Sequence, residues 1–231
     1  MLNNNSCHAV ILAGGSGSRA GLNIPKQFYK LNGLPLLAYS VKTFIQNNYI
    51  DSIVIVTHSD FLKETEAIAA QISHSKSILV TEGGSSRKES SFNGIKALKC
   101  SQNSIVSIHD AARPFVDDDI ITKSLESAEA NGASAVYTKS TDTIALFDDG
   151  VLKSIPDRNS CYLAQTPQTF KYHIILEAHE NAARTKEYTD DVSLVFDSGF
   201  TVSLIEGHPS NFKITSQDDL SRALTCLCKN K

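Results

Sequence analysis

The fold turns on His8-Ala9-Val10-Ile11-Leu12-Ala13-Gly14-Gly15-Ser16-Gly17-Ser18-Arg19-Ala20-Gly21, closed by Pro25-Lys26-Gln27. The apolar run at 8–12 has the length and composition of a buried strand, and it empties into glycines. Without a Cβ, glycine lets backbone N–H groups come close to a phosphate chain. Two fixed cations, Arg19 and Lys26, follow beside that loop. A multiply charged anion must be held while an electron-rich oxygen attacks it, so the combination suits phosphoryl or nucleotidyl transfer.

Two better-known glycine loops fit less well. Gly15-x-Gly17-x-x-Ala20 matches the dinucleotide fingerprint, but that loop must open a helix and be followed about 20 positions later by an acid. Gly21, Asn23 and Pro25 break any such helix, and the next apolar run, Ile53-Val54-Ile55-Val56, leads into Thr57-His58. A Walker loop needs Lys followed by Ser or Thr, whereas Lys26 precedes Gln27. On the loop alone, a glycine turn with a solvated Arg and Lys remains an alternative.

Strand-like runs recur at 8–12, 53–57, 77–81, 105–108, 133–137 and 201–205, with helical spacing between them. That alternation predicts an α/β fold in three layers around a mostly parallel sheet. Pro35 is a good first residue for a helix carrying Leu36, Leu37, Val41 and Phe44. Ser86-x-x-Glu89 reads as a capping box for another helix, and Ser216-Gln217-Asp218-Asp219 caps the last. Ligands in such sheets gather at the carboxyl ends of strands. The glycine loop, Gly83-Gly84 and Asp110 all fall at such ends.

One segment departs from the alternation. Residues 143–147 and 151–155 flank Asp148-Asp149-Gly150 and predict a β-hairpin. A lone two-stranded ribbon is marginal, and Ile144, Leu146, Phe147, Val151, Leu152 and Ile155 on it would invite self-association. The hairpin therefore reads as a dimerisation arm, spanning 139–160, within a single domain of 1–231.

The 231 residues suffice for one substantial core, and 41% hydrophobic with 20% charged residues is a globular balance. A net charge of -3 gives no general attraction to nucleic acid or anionic lipid, so phosphate handling must be local. Residues 1–6 lack the basic and apolar regions of a signal peptide, and no run approaches a membrane span. Five scattered cysteines form neither a zinc motif nor a disulfide framework, which fits reduced thiols in cytoplasm. The seven histidines contain no H-E-x-x-H, and His173 and His179 fall on different helix faces.

Further blocks follow the loop: Gly83-Gly84-x-x-Arg87-x-x-Ser90, His109-Asp110-Ala111-Ala112-Arg113-Pro114, Asp142-Thr143, Asp157-Arg158, Ala164-Gln165-Thr166-Pro167-Gln168-Thr169-Phe170, Thr189-Asp190-Asp191 and Asn211-Phe212-Lys213-Ile214-Thr215. With the loop, these blocks resemble the sugar-phosphate nucleotidyltransferases, and within them the 2-C-methyl-D-erythritol 4-phosphate cytidylyltransferase family, nearly end to end. Two departures bear on the acceptor. Thr138-Lys139-Ser140-Thr141-Asp142-Thr143 stands where Pro-Val-x-Asp-Thr is expected, and Cys161-Tyr162-Leu163 where Leu-Trp usually precedes Ala-Gln-Thr-Pro. Relatives that use ribitol 5-phosphate more often carry Asp-x-Val-Arg-Pro than Asp110-Ala111-Ala112-Arg113-Pro114, which favours methylerythritol phosphate.

The resemblance implies a Rossmann-like nucleotidyltransferase in which an acceptor phosphate attacks the α-phosphorus of CTP, with Mg²⁺ and with a homodimer interlocked through the arm. Arg19 and Lys26 are then expected at the α-phosphate and departing pyrophosphate, and Lys213 and Arg158 at the incoming phosphate, Arg158 coming from the partner subunit. Ala13, Gly14, Gly15, Gly17, Gly84, Ser90, Asp110 and Ala111 are expected around the nucleotide. Asp110, Arg113, Thr143 and Thr166 join Lys213 and Arg158 around the polyol phosphate. Asp110 serves as a cap, as a hydroxyl contact or beside the metal, for which no dedicated cage is visible. Arg113 either anchors its loop through a bidentate carboxylate pair or contacts acceptor oxygens. Thr189-Asp190-Asp191 reads as a helix N-cap. A ribitol-phosphate enzyme and a silent nucleotide-binding regulator are the alternatives.

Overall fold

The computed structural model describes residues 1–15, 24–73, 75–182 and 186–229. Strand β1 (Cys7–Ala13) leads past the glycines to a small ribbon, β2 (Lys30–Leu31) and β3 (Leu34–Pro35), then α1 (Leu36–Gln46), β4 (Ile50–Thr57), α2 (Leu62–Ile72) and β5 (Ser77–Glu82). Helix α3 (Arg87–Ala97), β6 (Ile105–Asp110), α4 (Asp118–Asn131) and β7 (Ala133–Lys139) continue the alternation. The hairpin β8 (Leu146–Asp148) and β9 (Val151–Ser154) precedes β10 (Tyr162–Lys171), α5 (Tyr172–Asn181), α6 (Asp191–Asp197), β11 (Ser203–Glu206) and α7 (Gln217–Lys229).

Seven strands form one sheet in the order β11-β7-β10-β6-β1-β4-β5. The pairs β1–β4, β1–β6, β4–β5 and β7–β11 are parallel. All six expected strands are present, and each extends or shifts by a few residues. The sequence reading omitted β10, which runs antiparallel between β6 and β7. Its register slips between Ala164 and Gln168, at the bulge that accommodates Pro167.

Burial explains the layering. One face of the sheet packs Ile11, Ile53 and Ile55 against Val41 and Phe44 of α1, Ile68 of α2 and Leu125 of α4. The other packs Val10, Val56 and Ile108 against Ile95 of α3, Ile175 of α5 and Val195 of α6. Helix α7 closes over Leu31 and Leu36 with Leu220 and Ala223. Helix α3 approaches the sheet closely at Gly94, where a Cβ would lie 2.5 Å from Val10 and 2.6 Å from Val56.

The hairpin forms, but its first strand begins at Leu146 rather than at 143, and Ile144 is half-buried. Phe147 faces Leu152 and Asp148 faces Val151, and Asp149 (φ 47°) with Gly150 (φ 75°) makes the two-residue left-handed turn that matches strand twist. Leu146, Phe147, Val151, Leu152 and Ile155 are all exposed on it.

Candidate active site

Strand order reverses at β1: the chain moves outward to β4 and β5, then returns through α3 to pair β6 on the other side of β1. Such a reversal opens a crevice beyond the carboxyl ends of the strands. Here a cleft of about 340 Å³ opens beyond β1 and β6. Ala13, Gly14 and Gly15 line one wall, Gly84 and Ser90 a second, and Lys26, Asp110, Ala111 and Lys213 the rest.

The nucleotide-side walls are built by helix capping. The Ser86 hydroxyl accepts from the Glu89 N–H (3.1 Å), which starts α3. The Glu89 carboxylate reaches back to the N–H (2.7 Å) and hydroxyl of Ser85, one residue before the cap. This first turn places Ser90, whose Oγ accepts from the Gly84 N–H at 3.1 Å. A side chain at 84 would not fit, since its Cβ would stand 2.2 Å from Glu89 Cβ. Across the cleft, a Cβ on Gly14 would lie 3.8 Å from Ser90 Oγ, so the β1 loop and α3 meet at close range.

Pro25 leads Lys26 into a single 3₁₀ turn, Lys26–Phe28. Gln27 ties that turn to the sheet by donating to the Ala13 carbonyl (2.6 Å), while Lys26 Nζ donates to the Ile214 carbonyl (2.8 Å). Lys213 is the next residue back from Ile214, and its ammonium donates to Asp110 Oδ2 at 2.6 Å. Residues 211–215 join no sheet strand; the Ile214 N–H bonds the Ala112 carbonyl.

Asp110 ends β6 and is buried. Burial alone would raise its carboxyl; Arg87, 3.5 Å from Oδ1, and then Lys213 hold it well below the usual carboxylate range instead. Arg87 in turn donates to Asp191 at 2.8 Å. Burial would also raise Asp191, but Arg87, His179 and Ser91 bring it to about 2. The alternating row Lys213, Asp110, Arg87, Asp191 leaves each charge neutralised by a neighbour while the cleft stands open.

Arg87 and Asp191 carry no assigned role in the sequence reading. Arg87 belongs to the Gly83-Gly84-x-x-Arg87-x-x-Ser90 block and lines the cleft, so its sequence context carries a signal for a role. Asp190 fills the expected cap, accepting from the Ser193 N–H at 2.9 Å, while Asp191 turns inward. Arg113 corrects an expectation. Among the described residues it pairs with no carboxylate; its guanidinium donates to the carbonyls of Asn211 (2.8 Å) and Ala164 (3.0 Å), anchoring two loops through the backbone. The Thr166 hydroxyl is occupied inside the protein, bonded to the Asp110 N–H and to His109. Thr143 and Arg158 are exposed, outside the cleft, and Arg158 donates to the Thr141 carbonyl (3.3 Å) beside the hairpin. Arg19 and Gly17 lie outside the described residues.

The model of the 2-C-methyl-D-erythritol 4-phosphate cytidylyltransferase (IspD) family matches residues 7–229. The chain belongs to this family. A cytidylyltransferase of that name from Thermosipho africanus is 41% identical over 91% of this chain and 93% of its own length. One from Clostridioides difficile is 41% identical over 93% and 90%. Among solved structures, the 4-diphosphocytidyl-2C-methyl-D-erythritol synthase of Anaerococcus prevotii superposes with a TM-score of 0.85 at 29% identity, covering 97% of this chain and 96% of that one. The cytidylyltransferase fold thus extends over the whole sheet and includes the cleft. Among the described residues, no helix is long and apolar enough to cross a membrane.

Proposed function

We propose that the chain catalyses attack of 2-C-methyl-D-erythritol 4-phosphate on the α-phosphorus of CTP, giving 4-diphosphocytidyl-2-C-methyl-D-erythritol and pyrophosphate for isoprenoid precursor synthesis. The supporting observation is that the family's full-length match coincides with one cleft lined by Gly14, Gly84, Ser90, Lys26, Asp110 and Lys213.

In this reading the glycine walls receive the nucleotide through backbone N–H groups, and Ser90 with Gly84 meets the base. Lys26, together with Arg19, neutralises charge on the α-phosphate and the departing pyrophosphate. Lys213 takes the acceptor phosphate. Bringing that dianion to a triphosphate costs several kcal/mol at intermediate dielectric, on the order given by Coulomb's law. Preplaced ammonium groups offset this cost without reorganisation during the reaction. When Lys213 turns from Asp110 to phosphate, Arg87 remains to neutralise Asp110. The acceptor phosphate is ionised near neutral pH, so neither a covalent nucleophile nor a general base is required.

The cleft would suit a Mg²⁺ ion carried mainly by the triphosphate, with Asp110 the carboxylate of its lining nearest to serving it. Among the described residues no cluster of three metal-ligating side chains exists, and both carboxylate oxygens of Asp110 already face cations. When bound, the ion would neutralise triphosphate oxygens and keep most of its waters. The exposed hairpin supports a homodimer, whose partner subunit would bring its own arm and a second Arg158 to the acceptor side.

Pyrophosphate release from CTP, measured with methylerythritol phosphate and with ribitol 5-phosphate, tests the assignment. Release with the first acceptor is expected. Preference for ribitol phosphate would overturn the acceptor, and CTP binding with no release from either would leave a nucleotide-binding regulator.

A further inference from the structure

His109 lies one residue before Asp110 and is fully buried, yet the proposed chemistry gives it no task. Its two ring nitrogens have different partners. Nε2 is 3.1 Å from the Arg113 carbonyl, and Nδ1 is 2.9 Å from Thr166 Oγ1. A carbonyl only accepts, so Nε2 must carry the hydrogen. Burial pushes the ring down to about 4, so it is neutral in the working range and Nδ1 is an acceptor. The Thr166 hydroxyl must therefore donate to Nδ1, and its oxygen accepts from the Asp110 N–H at 3.1 Å. These three donors, the His109 Nε2–H, the Thr166 hydroxyl and the Asp110 N–H, each have one acceptor, and the direction of each bond is fixed.

The bonded chain closes on itself through the Lys213 segment. The Arg113 guanidinium holds the Asn211 carbonyl at 2.8 Å, and Asn211 Nδ2 donates to the Thr166 carbonyl at 2.9 Å. One end of the ring thus fixes the backbone of Asp110, and the other fixes the residue two before Lys213. These two side chains face each other across the cleft at 2.6 Å.

Building on the function proposed above, we propose that His109, held as its Nε2–H tautomer, is a positioning residue for the reaction and acts through the Thr166 hydroxyl to set Asp110 and Lys213 for the acceptor phosphate. The nucleotide walls at Gly14, Gly84 and Ser90 hang on α3 and β1 and lie outside the ring, so loss of the relay should weaken use of the acceptor and spare CTP. A displacement of about 1 Å at reacting groups can cost about a hundredfold in rate.

Two measurements test this on the intact protein. Long-range ¹H–¹⁵N spectra at pH 7.5 should show His109 with a protonated Nε2 and a bare Nδ1; the opposite tautomer or a mixture would overturn the relay. Thr166→Val, which keeps shape and removes the hydroxyl, should lower kcat/KM for methylerythritol phosphate about 10- to 100-fold with the CTP dissociation constant within twofold of wild type. Thr166→Ser should recover most of that loss. A Thr166→Val enzyme within twofold of wild type, or one whose CTP affinity falls in parallel, refutes the positioning role. Wild-type protein that releases no pyrophosphate would instead remove the functional reading, and the ring spectrum would still decide the tautomer.

Discussion

Lys26 is held in place before any ligand arrives: Pro25 sets the chain direction, Gln27 pins the turn to β1, and the ammonium bonds the Ile214 carbonyl. A preorganised cation of this kind stabilises charge that develops during the reaction, and losing one such group typically costs about 10²–10³ in rate. Lys26→Ala should therefore reduce kcat for pyrophosphate release by about a hundredfold or more; unchanged turnover would remove Lys26 from the mechanism. Acid sensitivity also belongs to single residues. His8 and His109 are pushed below the ordinary histidine value by burial, His109 to about 4, so under acid the unfolded chain takes up protons that the folded chain refuses. Stability should be full above about pH 6.5 and decline as pH falls toward 4. Asp191, near 2 in the fold, adds a second loss only between about pH 4 and 2. A urea midpoint that stays flat from pH 7 to 4.5 would contradict the histidine assignment. Lys26 and Lys213 were legible because each sits beside residues with a clear local meaning. Asp191 was not, since its neighbour Asp190 supplies the cap and its partner Arg87 lies 104 positions away.

At the scale of elements, strands with apolar faces announced themselves and β10 did not. Gln165, Thr166, Gln168 and Thr169 are polar and buried, and each is satisfied by a distant partner. Gln168 alone accepts from the Asp191 and Val192 N–H groups and donates to Asp190. No periodicity of hydrophobicity can reveal such a strand, because its burial is compensated by hydrogen bonds rather than by apolar contact. Helix α3 is similar: it buries Ser90, Ser91 and Gly94 where an apolar stripe would be looked for. Its capping box betrayed its start, and its close approach at Gly94 was hidden. Gly94→Ala should overpack Val10 and Val56 and destabilise the fold by roughly 1–3 kcal/mol, despite alanine's better helix propensity. A urea midpoint equal to or above wild type would mean that α3 can back away from the sheet.

For the whole molecule, the hairpin is the feature most visible in sequence and least explained by one copy of the chain. Phe147 and Val151 are each 63% exposed, and a two-stranded ribbon with such side chains has little to hold it alone. On the proposed homodimer, Phe147→Glu with Leu152→Glu should yield monomers in sedimentation velocity and lower turnover through loss of the Arg158 proposed to come from the partner subunit. A wild-type protein that sediments as a monomer at micromolar concentration would remove the arm from that role.

The antiparallel strand has a consequence for how the chain comes off the ribosome. β6 meets one of its two neighbours early, in β1, whereas β7 has none until β10 and then β11 have been synthesised. A nascent chain stalled before residue 162 carries a bare strand beside an open sheet margin, which other chains could capture. Folding force on a translational arrest sequence should therefore rise only after the segment ending at Lys171 has left the exit tunnel. An earlier rise would show that the parallel half of the sheet consolidates without it.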